Sequence, residues 1–407
     1  MLNFELYNPV KIVFGPGESK RVGNYAKDFG KKAMLVSYEE HSFFTDLLNA
    51  VKKNLGDNGV QVTEFYKVQA NPLLSHIRQA IDICRQEKVD MVIAVGGGSV
   101  MDSTKIIAAG VLYPDDPWKM FVCRHDIEVA VPPTETLPTI LIPTLPATSS
   151  EMNCIGVATN DETKEKAYVY TPVIYSKVSI VDPELTCSLP AFQTAAGAID
   201  AISHVLESYF NGDQHSPVQD RTQEGLVKAI MDELPLVLKD PKNVQHRANI
   251  QWASTLCWNG WMQAGLNAQT PMHNMGHILS AQFNVTHGVT LAIFMRSFFR
   301  YTANLNEERA ARFAQLGQFL FGLDRSQKSD KEVANEFIDR FVAFMDSVGV
   351  PNTFTQLKQV CGIEITEKDF DMIADEIVRL GCDANGNLPS IPAVGRDGIM
   401  QTLKLSI

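Results

Sequence analysis

The sequence lacks the features of a secreted or membrane protein. Its seven cysteines include no Cys-x-x-Cys pair, and their odd number and wide spacing argue against a disulfide framework or a thiolate metal site. No apolar run approaches the roughly 20 residues that a membrane-spanning helix needs, and the N-terminal segment has no cationic start followed by an apolar stretch. A cytoplasmic protein with no membrane partner is therefore predicted.

Clustered positive charge is also lacking. The 36 Lys and Arg residues are outnumbered by 47 Asp and Glu residues, which gives a formal net charge of -11, and the basic residues form no stripe. This distribution excludes a nucleic-acid partner, because phosphate binding depends on clustered cations. Low-complexity tracts and solenoid repeats are absent too, so the 407 residues predict two unlike globular domains.

The two halves of the chain have different patterns. Short β-branched runs alternate with helical periodicity from residue 10 to about 185, which indicates a mostly parallel sheet covered by helices. Beyond residue 190, apolar residues recur at intervals of three and four, which predicts helices. We therefore place an α/β domain at 1–186 and an all-α domain at 187–407. The predicted strands are residues 33–38, 60–65, 89–95, 139–144 and 178–181.

A glycine-rich loop connects a predicted strand to a predicted helix. The sequence Gly-Gly-Gly-Ser at 96–99 follows the strand at 89–95. Backbone amides at the start of a helix, together with the helix dipole, can bind a pyrophosphate. However, Met101 stands where the dinucleotide fingerprint has its third glycine, and the Lys-Ser/Thr pair of a P-loop is missing. A tight turn without a ligand is the alternative interpretation.

A second polar loop, with the sequence TLPATSSE at 144–151, follows the strand at 139–144. Its hydroxyl groups would face a ligand at the carboxyl edge of the sheet. Serine and threonine are also ordinary turn residues, so a turn without a ligand is the alternative here as well.

Acidic and imidazole side chains recur at helical spacing in the second half. Asp200 and His204 lie four residues apart and share one helix face, with Cβ atoms roughly 5 to 6 Å apart. His273 and His277 repeat this spacing, and His287 follows. One aspartate with several histidines and no cysteine suits Fe(II), Zn(II) or Mn(II). Each pair alone is more readily explained by a hydrogen bond on a helix, and only their combination favours a metal site.

Taken together, these motifs resemble the iron-containing (group III) alcohol dehydrogenase family, and within it the butanol dehydrogenase branch. The likeness rests on Gly-Gly-Gly-Ser-x-x-Asp at 96–102, Asp-x3-His at 200–204 and His-x3-His-x9-His at 273–287. It implies a nucleotide-binding α/β domain, a helical metal-binding domain, a cleft between them, and a homodimer. It further implies hydride transfer between NAD or NADP and a small uncharged primary alcohol or aldehyde.

The resemblance also implies roles for individual residues. The metal ligands would be Asp200, His204, His273 and His287, although spacing alone pairs His273 with His277. His277 would stand near the nicotinamide without binding the metal, which would be Fe(II) or Zn(II). The implied cofactor contacts are Gly97, Gly98, Ser99, Asp102, Thr144, Thr148, Ser150 and Lys166.

Two positions depart from the family pattern. Ser149 replaces a glycine that the family usually has in the second loop, which bears on close backbone approach there. After the strand at 33–38, the acidic residues Glu39 and Glu40 stand where the butanol branch commonly has glycines and serine. A carboxylate at Glu39 repels a 2′-phosphate and accepts hydrogen bonds from ribose hydroxyls, so NAD is favoured over NADP. Two exposed acids that open a loop are the alternative.

A metal is predicted to be the principal catalyst. An alcohol with a pKa of about 16 and a histidine with a pKa of about 6.5 are mismatched by about 13 kcal/mol, whereas a divalent cation lowers the pKa of a bound hydroxyl to roughly 7. His277 is the predicted proton relay. The alternatives are a lyase resembling 3-dehydroquinate synthase, whose Lys and Arg cluster residues 190–290 do not supply, and a metal-dependent hydrolase whose glycine loop is only a turn.

Overall fold

The computed structural model describes residues 1–122, 129–212 and 216–407. These residues form two compact units, each assembled from separated stretches of the chain. Unit 1 comprises Met1–Leu6, Pro190–Lys239 and Trp261–Ile407, and unit 2 comprises Tyr7–Leu189 and Asp240–Gly260. The chain changes unit between residues 189 and 190, near the predicted boundary at 186, whereas residues 1–6 and 240–260 group with the other half. The functions assigned to the two predicted domains stay predictions.

Unit 2 contains a six-stranded parallel sheet and a two-stranded antiparallel hairpin. The hairpin pairs the sixth strand with the seventh, and the other six strands form the parallel sheet. The strands are β1 Lys11–Phe14, β2 Lys32–Tyr38, β3 Gln61–Val68, β4 Met91–Gly96, β5 Thr139–Pro143, β6 Ile155–Asn160, β7 Glu165–Tyr170 and β8 Val178–Val181.

The centre of the parallel sheet positions the two polar loops. The strand order is β1-β8-β5-β4-β2-β3, and every residue of β4 and β5 is buried, as is typical of strands covered on both faces. The register pairs Gly96 with Pro143, so the chain leaves both strands at the same edge of the sheet. The glycine loop and the second polar loop therefore start side by side.

Helices of unit 2 cover both faces of this sheet. A second set of helices forms unit 1. Helices α1 to α4 and α7 belong to unit 2, and the remaining helices belong to unit 1. The helices are α1 Val22–Ala26, α2 Thr45–Asp57, α3 Leu74–Glu87, α4 Gly98–Leu112, α5 Ala191–Phe210, α6 Pro217–Lys239, α7 Val244–Leu256, α8 Pro271–Phe283, α9 His287–Ala303, α10 Glu307–Phe321, α11 Asp330–Ser347, α12 Phe354–Cys361, α13 Phe370–Gly381 and α14 Arg396–Lys404.

Two apolar clusters hold the helices of unit 2 to opposite faces of the sheet. One cluster joins Val92 of β4 to Ile81 of α3 and Ile106 of α4. The other joins the next residue, Ile93, to Val51 of α2. Successive strand side chains point to opposite faces, so β4 contributes to both clusters. Because the strand residues are buried on both faces, they are apolar and often β-branched, and the sequence therefore shows the strands clearly.

The predicted fold class is confirmed, since a mostly parallel α/β half precedes a half in which the described residues form helices and no strand. The five predicted strands correspond to β2, β3, β4, β5 and β8. The hairpin of β6 and β7 was not predicted, because Glu165 and Lys166 open β7 and charged residues are depleted in strands.

The described residues bear on two predictions made from composition, one about membrane-spanning helices and one about disulfides. Within them, no helix combines the length and apolar character that crossing a bilayer requires. Six cysteines are free, and the seventh, Cys123, lies outside the described residues. The free cysteines are Cys84, Cys154, Cys187, Cys257, Cys361 and Cys382.

Close packing of α9 against α5 fixes the start of α9. A Cβ atom built on Gly288 would lie 2.1 Å from the carbonyl oxygen of Ala196 on α5. Only glycine tolerates this approach without displacement of a backbone. The contact holds His287, the first residue of α9, beside the part of α5 that follows Ala196.

We predict that Gly288→Ala lowers the free energy of unfolding by about 1–3 kcal/mol, because the added methyl group overpacks the α5–α9 contact. Gly225→Ala is the matched control: Gly225 lies within α6, and no heavy atom lies within 4 Å of its added Cβ. That variant should gain up to about 1 kcal/mol from the higher helix propensity of alanine. Thermal melts with a chelator present measure both, and equal melting temperatures would contradict the packing argument.

Candidate functional site

Side chains from three helices of unit 1 converge on one point. Asp200 and His204 come from α5, His273 comes from the first turn of α8, and His287 begins α9. The ligand atoms of Asp200, His204 and His273 all lie within 4.8 Å of one another, and the three residues are buried. His287 Nε2 lies 3.9 Å from Asp200 Oδ1. The structure thus brings three predicted ligands, Asp200, His204 and His273, into one group and places the fourth, His287, beside Asp200.

Hydrogen bonds on the outer side of two rings determine which nitrogen faces this point. His204 Nδ1 lies 2.8 Å from the carbonyl oxygen of Asp200. A carbonyl oxygen only accepts, so Nδ1 carries the hydrogen and Nε2 presents a lone pair. Burial lowers the pKa of His204 to about 4, so the ring is neutral at pH 7. His204 is therefore prepared as a nitrogen ligand.

His273 has the same arrangement, with a carboxylate in place of the carbonyl. Its Nδ1 contacts Oε2 of Glu207, a fully buried residue on α5. When Glu207 is ionised, Nδ1 carries the hydrogen and Nε2 presents its lone pair. Burial raises the pKa of Glu207, and a cation on the other side of the His273 ring would oppose that shift by favouring the ionised carboxylate.

The donor set fits a divalent metal ion. The Nε2 atoms of His204 and His273 are 3.2 Å apart, and two lone pairs at that distance beside the Asp200 carboxylate repel each other unless a cation lies between them. Two nitrogen ligands at about 2.0–2.1 Å from a tetrahedral zinc ion are separated by about 3.3 Å. Imidazole and carboxylate donors without thiolate suit Fe(II) as well as Zn(II).

His277 lies beside this cluster, one turn after His273 on α8. Its ring centroid is 5.4 Å from that of His287 and 6.3 Å from that of His273. It is half-buried, as is His287, and the group of converging ligand atoms found among the described residues comprises Asp200, His204 and His273. His287 is placed beside that group by the 3.9 Å between its Nε2 and Asp200 Oδ1. The pairing that spacing alone indicates, His273 with His277, is therefore not the one that the structure forms.

The glycine loop of unit 2 is shaped by its protein neighbours. The amide of Gly97 donates to the hydroxyl of Tyr38, 3.1 Å away, at the end of β2. A Cβ on Gly97 would lie 2.8 Å from the same hydroxyl, and one on Gly98 would lie 2.7 Å from Thr148 Cγ2. Packing alone thus accounts for both glycines. Ser99 follows in the first turn of α4 and is half-buried.

Asp102 and Ser150, two predicted cofactor contacts, bind each other. Ser150 Oγ donates to one carboxylate oxygen of Asp102 at 2.6 Å, and the amide of Val157 donates to the other at 3.2 Å. The ammonium of Lys105, which is fully buried, donates to the Ser150 carbonyl at 3.0 Å and to Asn153 Oδ1 at 3.1 Å. These bonds tie the second polar loop to α4. Lys105 was not identified from the sequence, because a lysine within a helix ordinarily indicates an exposed face.

Ser149 occupies the position of the family's glycine in a backbone conformation that favours glycine. Its φ is 52° and its ψ is 17°, in the left-handed region. Its hydroxyl accepts a hydrogen bond from the Trp258 amide at 2.9 Å and donates to the carbonyl of Ser254. Both partners, Ser254 and Trp258, belong to residues 240–260, which group with unit 2 although they follow residues 190–239 of unit 1 in the chain. These two bonds offset the backbone strain of a serine there.

Two further predicted cofactor residues, Thr144 and Lys166, come from the parallel sheet and from the hairpin. Thr144 follows β5 and donates its amide to the carbonyl of Gly96 at 3.0 Å. Lys166 on β7 donates to Asn71 Oδ1 at 2.9 Å. Asn71 was missed by the sequence analysis; an asparagine shortly after a predicted strand is the signal that could have found it, since asparagine readily adopts the left-handed conformation seen here, with a φ of 57°.

Glu39 follows β2 at the carboxyl edge of the sheet. Its carboxylate is exposed and accepts a hydrogen bond from Gln69 Nε2 at 2.9 Å. The neighbouring Glu40 turns its carboxylate back onto Ser42, whose amide and hydroxyl donate at 3.0 and 2.5 Å. Of the two acids, Glu39 is held at the end of the sheet and Glu40 closes its own turn.

Comparison with known proteins adds independent support. Residues 9–183 match the family model described as iron-containing alcohol dehydrogenase, and residues 194–406 match the one described as Fe-containing alcohol dehydrogenase family, C-terminal. The chain is 34% identical over 407 residues to the probable NADH-dependent butanol dehydrogenase 1 of Bacillus subtilis, with 100% of each chain covered.

Two further matches point the same way. The chain is 32% identical over 360 residues to an NADPH-dependent aldehyde reductase of Escherichia coli, a match that covers 86% of this chain and 88% of the reductase. The crystal structure of NADH-dependent butanol dehydrogenase A from Thermotoga maritima superposes with a TM-score of 0.90 at 34% identity, covering 100% of this chain and 99% of that one.

These matches confirm the predicted resemblance to butanol dehydrogenases and give no support to the lyase alternative. Both family models together span most of the chain, and the relatives are covered over most or all of their length. The chain belongs to the iron-containing alcohol dehydrogenase family.

Proposed function

We propose that this protein is a metal-dependent, NAD(P)-linked alcohol dehydrogenase that also works as an aldehyde reductase in the reverse direction. Its substrates would be small uncharged primary alcohols and aldehydes such as butanol and butyraldehyde. The observation that carries the proposal is the convergence of the Asp200 carboxylate with the Nε2 atoms of His204 and His273. The names of the butanol dehydrogenase and aldehyde reductase relatives support the substrate class.

Asp200, His204, His273 and His287 would hold one Fe(II) or Zn(II) ion. When bound, the metal acts as a Lewis acid that lowers the pKa of an alcohol hydroxyl or polarises an aldehyde carbonyl. The chain itself shields the metal-ligand side chains from water and fixes their orientation. Burial of the first three ligands limits competition from water, and the outward hydrogen bonds of His204 and His273 hold both rings in place.

The glycine loop would bind the pyrophosphate of the nicotinamide nucleotide, which accepts or donates the hydride. Because Tyr38 occupies the amide of Gly97, the amides of Gly98 and Ser99 are the ones available in the first turn of α4. The dipole of α4 supports an anion there. Thr144, Thr148, Ser150, Asp102 and Lys166 would complete the site, either by direct contact or by shaping the loops.

His277 would relay a proton between the reacting oxygen and solvent. Its half-buried ring lies 5.4 Å, centroid to centroid, from that of the predicted ligand His287, and it is not among the converging ligand atoms of Asp200, His204 and His273. A residue in that position can exchange protons with water without giving up a metal bond.

We also propose that the protein is a cytoplasmic homodimer. The free cysteines suit a reducing compartment. Apolar side chains of the N-terminal segment, Met1, Leu2, Phe4 and Leu6, are 44–54% exposed and offer a surface for a second copy. Light scattering that gives the 45.1 kDa mass of a single chain would refute the dimer.

The proposed activity is tested by absorbance at 340 nm with metal-loaded protein, butyraldehyde and either NADH or NADPH. We expect oxidation of the nucleotide that stops after chelation and returns when Fe(II) or Zn(II) is added, because a bound metal would polarise the carbonyl. Absence of oxidation with any short aldehyde, despite bound metal, would favour the lyase or hydrolase instead.

The role of His277 predicts that turnover and metal content separate. His277→Ala should reduce kcat by about 10²- to 10⁴-fold, the usual contribution of a positioned acid or base, while each chain still holds one metal ion. His204→Ala, which removes a converging nitrogen, should lose the metal itself. Metal analysis together with steady-state kinetics measures both, and loss of metal from His277→Ala would contradict the assignment.

Glu39 predicts the choice of nucleotide. A carboxylate about 4 Å from a 2′-phosphate is disfavoured by about 1 kcal/mol in water and about 4 kcal/mol near a protein surface. Glu39→Ser should therefore raise the ratio of kcat/KM for NADPH over NADH by about tenfold or more. Glu40→Ser is the control, because the Glu40 carboxylate turns back onto the amide and hydroxyl of Ser42 within its own turn. Equal ratios for the two variants would show that Glu39 does not select the nucleotide.

A further inference from the structure

Glu207 links the helix that carries two predicted metal ligands to the helix that carries a third. It lies seven residues after Asp200 and three after His204, on the same face of α5. Its side chain is fully buried. One carboxylate oxygen accepts from the amide of Met272, and the other contacts Nδ1 of His273. Glu207 thus binds two consecutive residues in the first turn of α8.

Both contacts need an acceptor. The Met272 amide belongs to the first turn of α8, where backbone N–H groups have no partner within the helix, and a carboxylate at a helix N-terminus is favoured by the dipole. The second contact lies on the side of the His273 ring opposite Nε2, the atom that faces His204. An ionised carboxylate can satisfy both donors because both of its oxygens accept.

We propose that Glu207 is a positioning residue that fixes the tautomer of His273. Its carboxylate keeps the hydrogen on Nδ1 and leaves the Nε2 lone pair directed at the metal position. The inference rests on the proposed metal-dependent function. His204 needs no such side chain, because the backbone carbonyl of Asp200 holds its Nδ1. The 2.8 Å bond of His204 is thus made to the backbone, whereas Nδ1 of His273 contacts a side chain that substitution can change.

The decisive comparison is between Glu207→Gln and Glu207→Asp. Glutamine keeps the size of the side chain but has one acceptor oxygen, so its NH2 group must face either Met272 or His273. If the NH2 group donates to Nδ1, the ring hydrogen moves to Nε2 and blocks the metal. Aspartate is shorter but keeps two acceptor oxygens. A tautomer role therefore predicts tighter metal binding by the aspartate variant, and a space-filling role predicts tighter binding by the glutamine variant.

The measurement is the Zn(II) affinity of the full-length protein, obtained by competition with a chromophoric chelator. We expect Glu207→Gln to bind about 10- to 100-fold more weakly than the wild type, the usual effect of removing a partner of a metal-bound histidine, and Glu207→Asp to lose less than about tenfold. Glu224→Gln is the matched control: Glu224 is also fully buried in unit 1, and it bonds Tyr209 rather than a predicted ligand. Its affinity should stay within about twofold of the wild type.

The outcomes separate the two proposals. If the wild type binds no stoichiometric metal, the proposed function itself fails. If the wild type binds metal and Glu207→Gln binds it as tightly, or more tightly than Glu207→Asp, the positioning role is overturned and the metal site stands. Melting curves of the metal-free variants identify any that do not fold. Should Glu207→Gln be one of them, Glu207→Asp decides alone: metal binding within about tenfold of the wild type supports the role, and loss of metal overturns it.

Discussion

The contact on which the site depends is the one between the Nε2 atoms of His204 and His273. The two rings are held with these atoms 3.2 Å apart by acceptors behind them, and the Asp200 carboxylate lies beside both. Bringing two lone pairs and an anion together in a buried place is unfavourable without a cation. The helical unit is organised to produce this convergence, because α5, α8 and α9 each contribute a donor and Gly288 lets α9 approach α5 closely.

Unit 2 places two polar loops, with their backbone amides, at one edge of a parallel sheet. Polar side chains of the two loops and α4 bind protein groups there: Ser150 bonds Asp102, and Lys105 bonds the Ser150 carbonyl. Ser149 is tied to residues 254–258 by its hydroxyl. Side chains that resemble ligand contacts in the sequence therefore also give the loops their shape, and such shaped loops suit a nucleotide whose phosphates are recognised by amides.

Much of the fold follows from patterns within short segments, whereas parts of the site depend on distant ones. The strands around Val92 were predictable because β-branched runs are local, and the hairpin that carries Lys166 was not, because charged residues open it. The four ligands were assigned through the family resemblance, since spacing alone pairs His273 with His277. Glu207 had no signal in the sequence: a single glutamate in a helix indicates solvent, and its partner His273 lies 66 residues away.

If the converging side chains hold a metal ion, an anomalous difference map from a crystal of metal-loaded protein will show it. We expect one peak at the iron or zinc absorption edge, about 2.0–2.2 Å from the Nε2 atoms of His204 and His273 and from an Asp200 oxygen, with His287 as the fourth ligand and His277 unbound. A map with no peak there, and with the two rings hydrogen-bonded to each other, would contradict it.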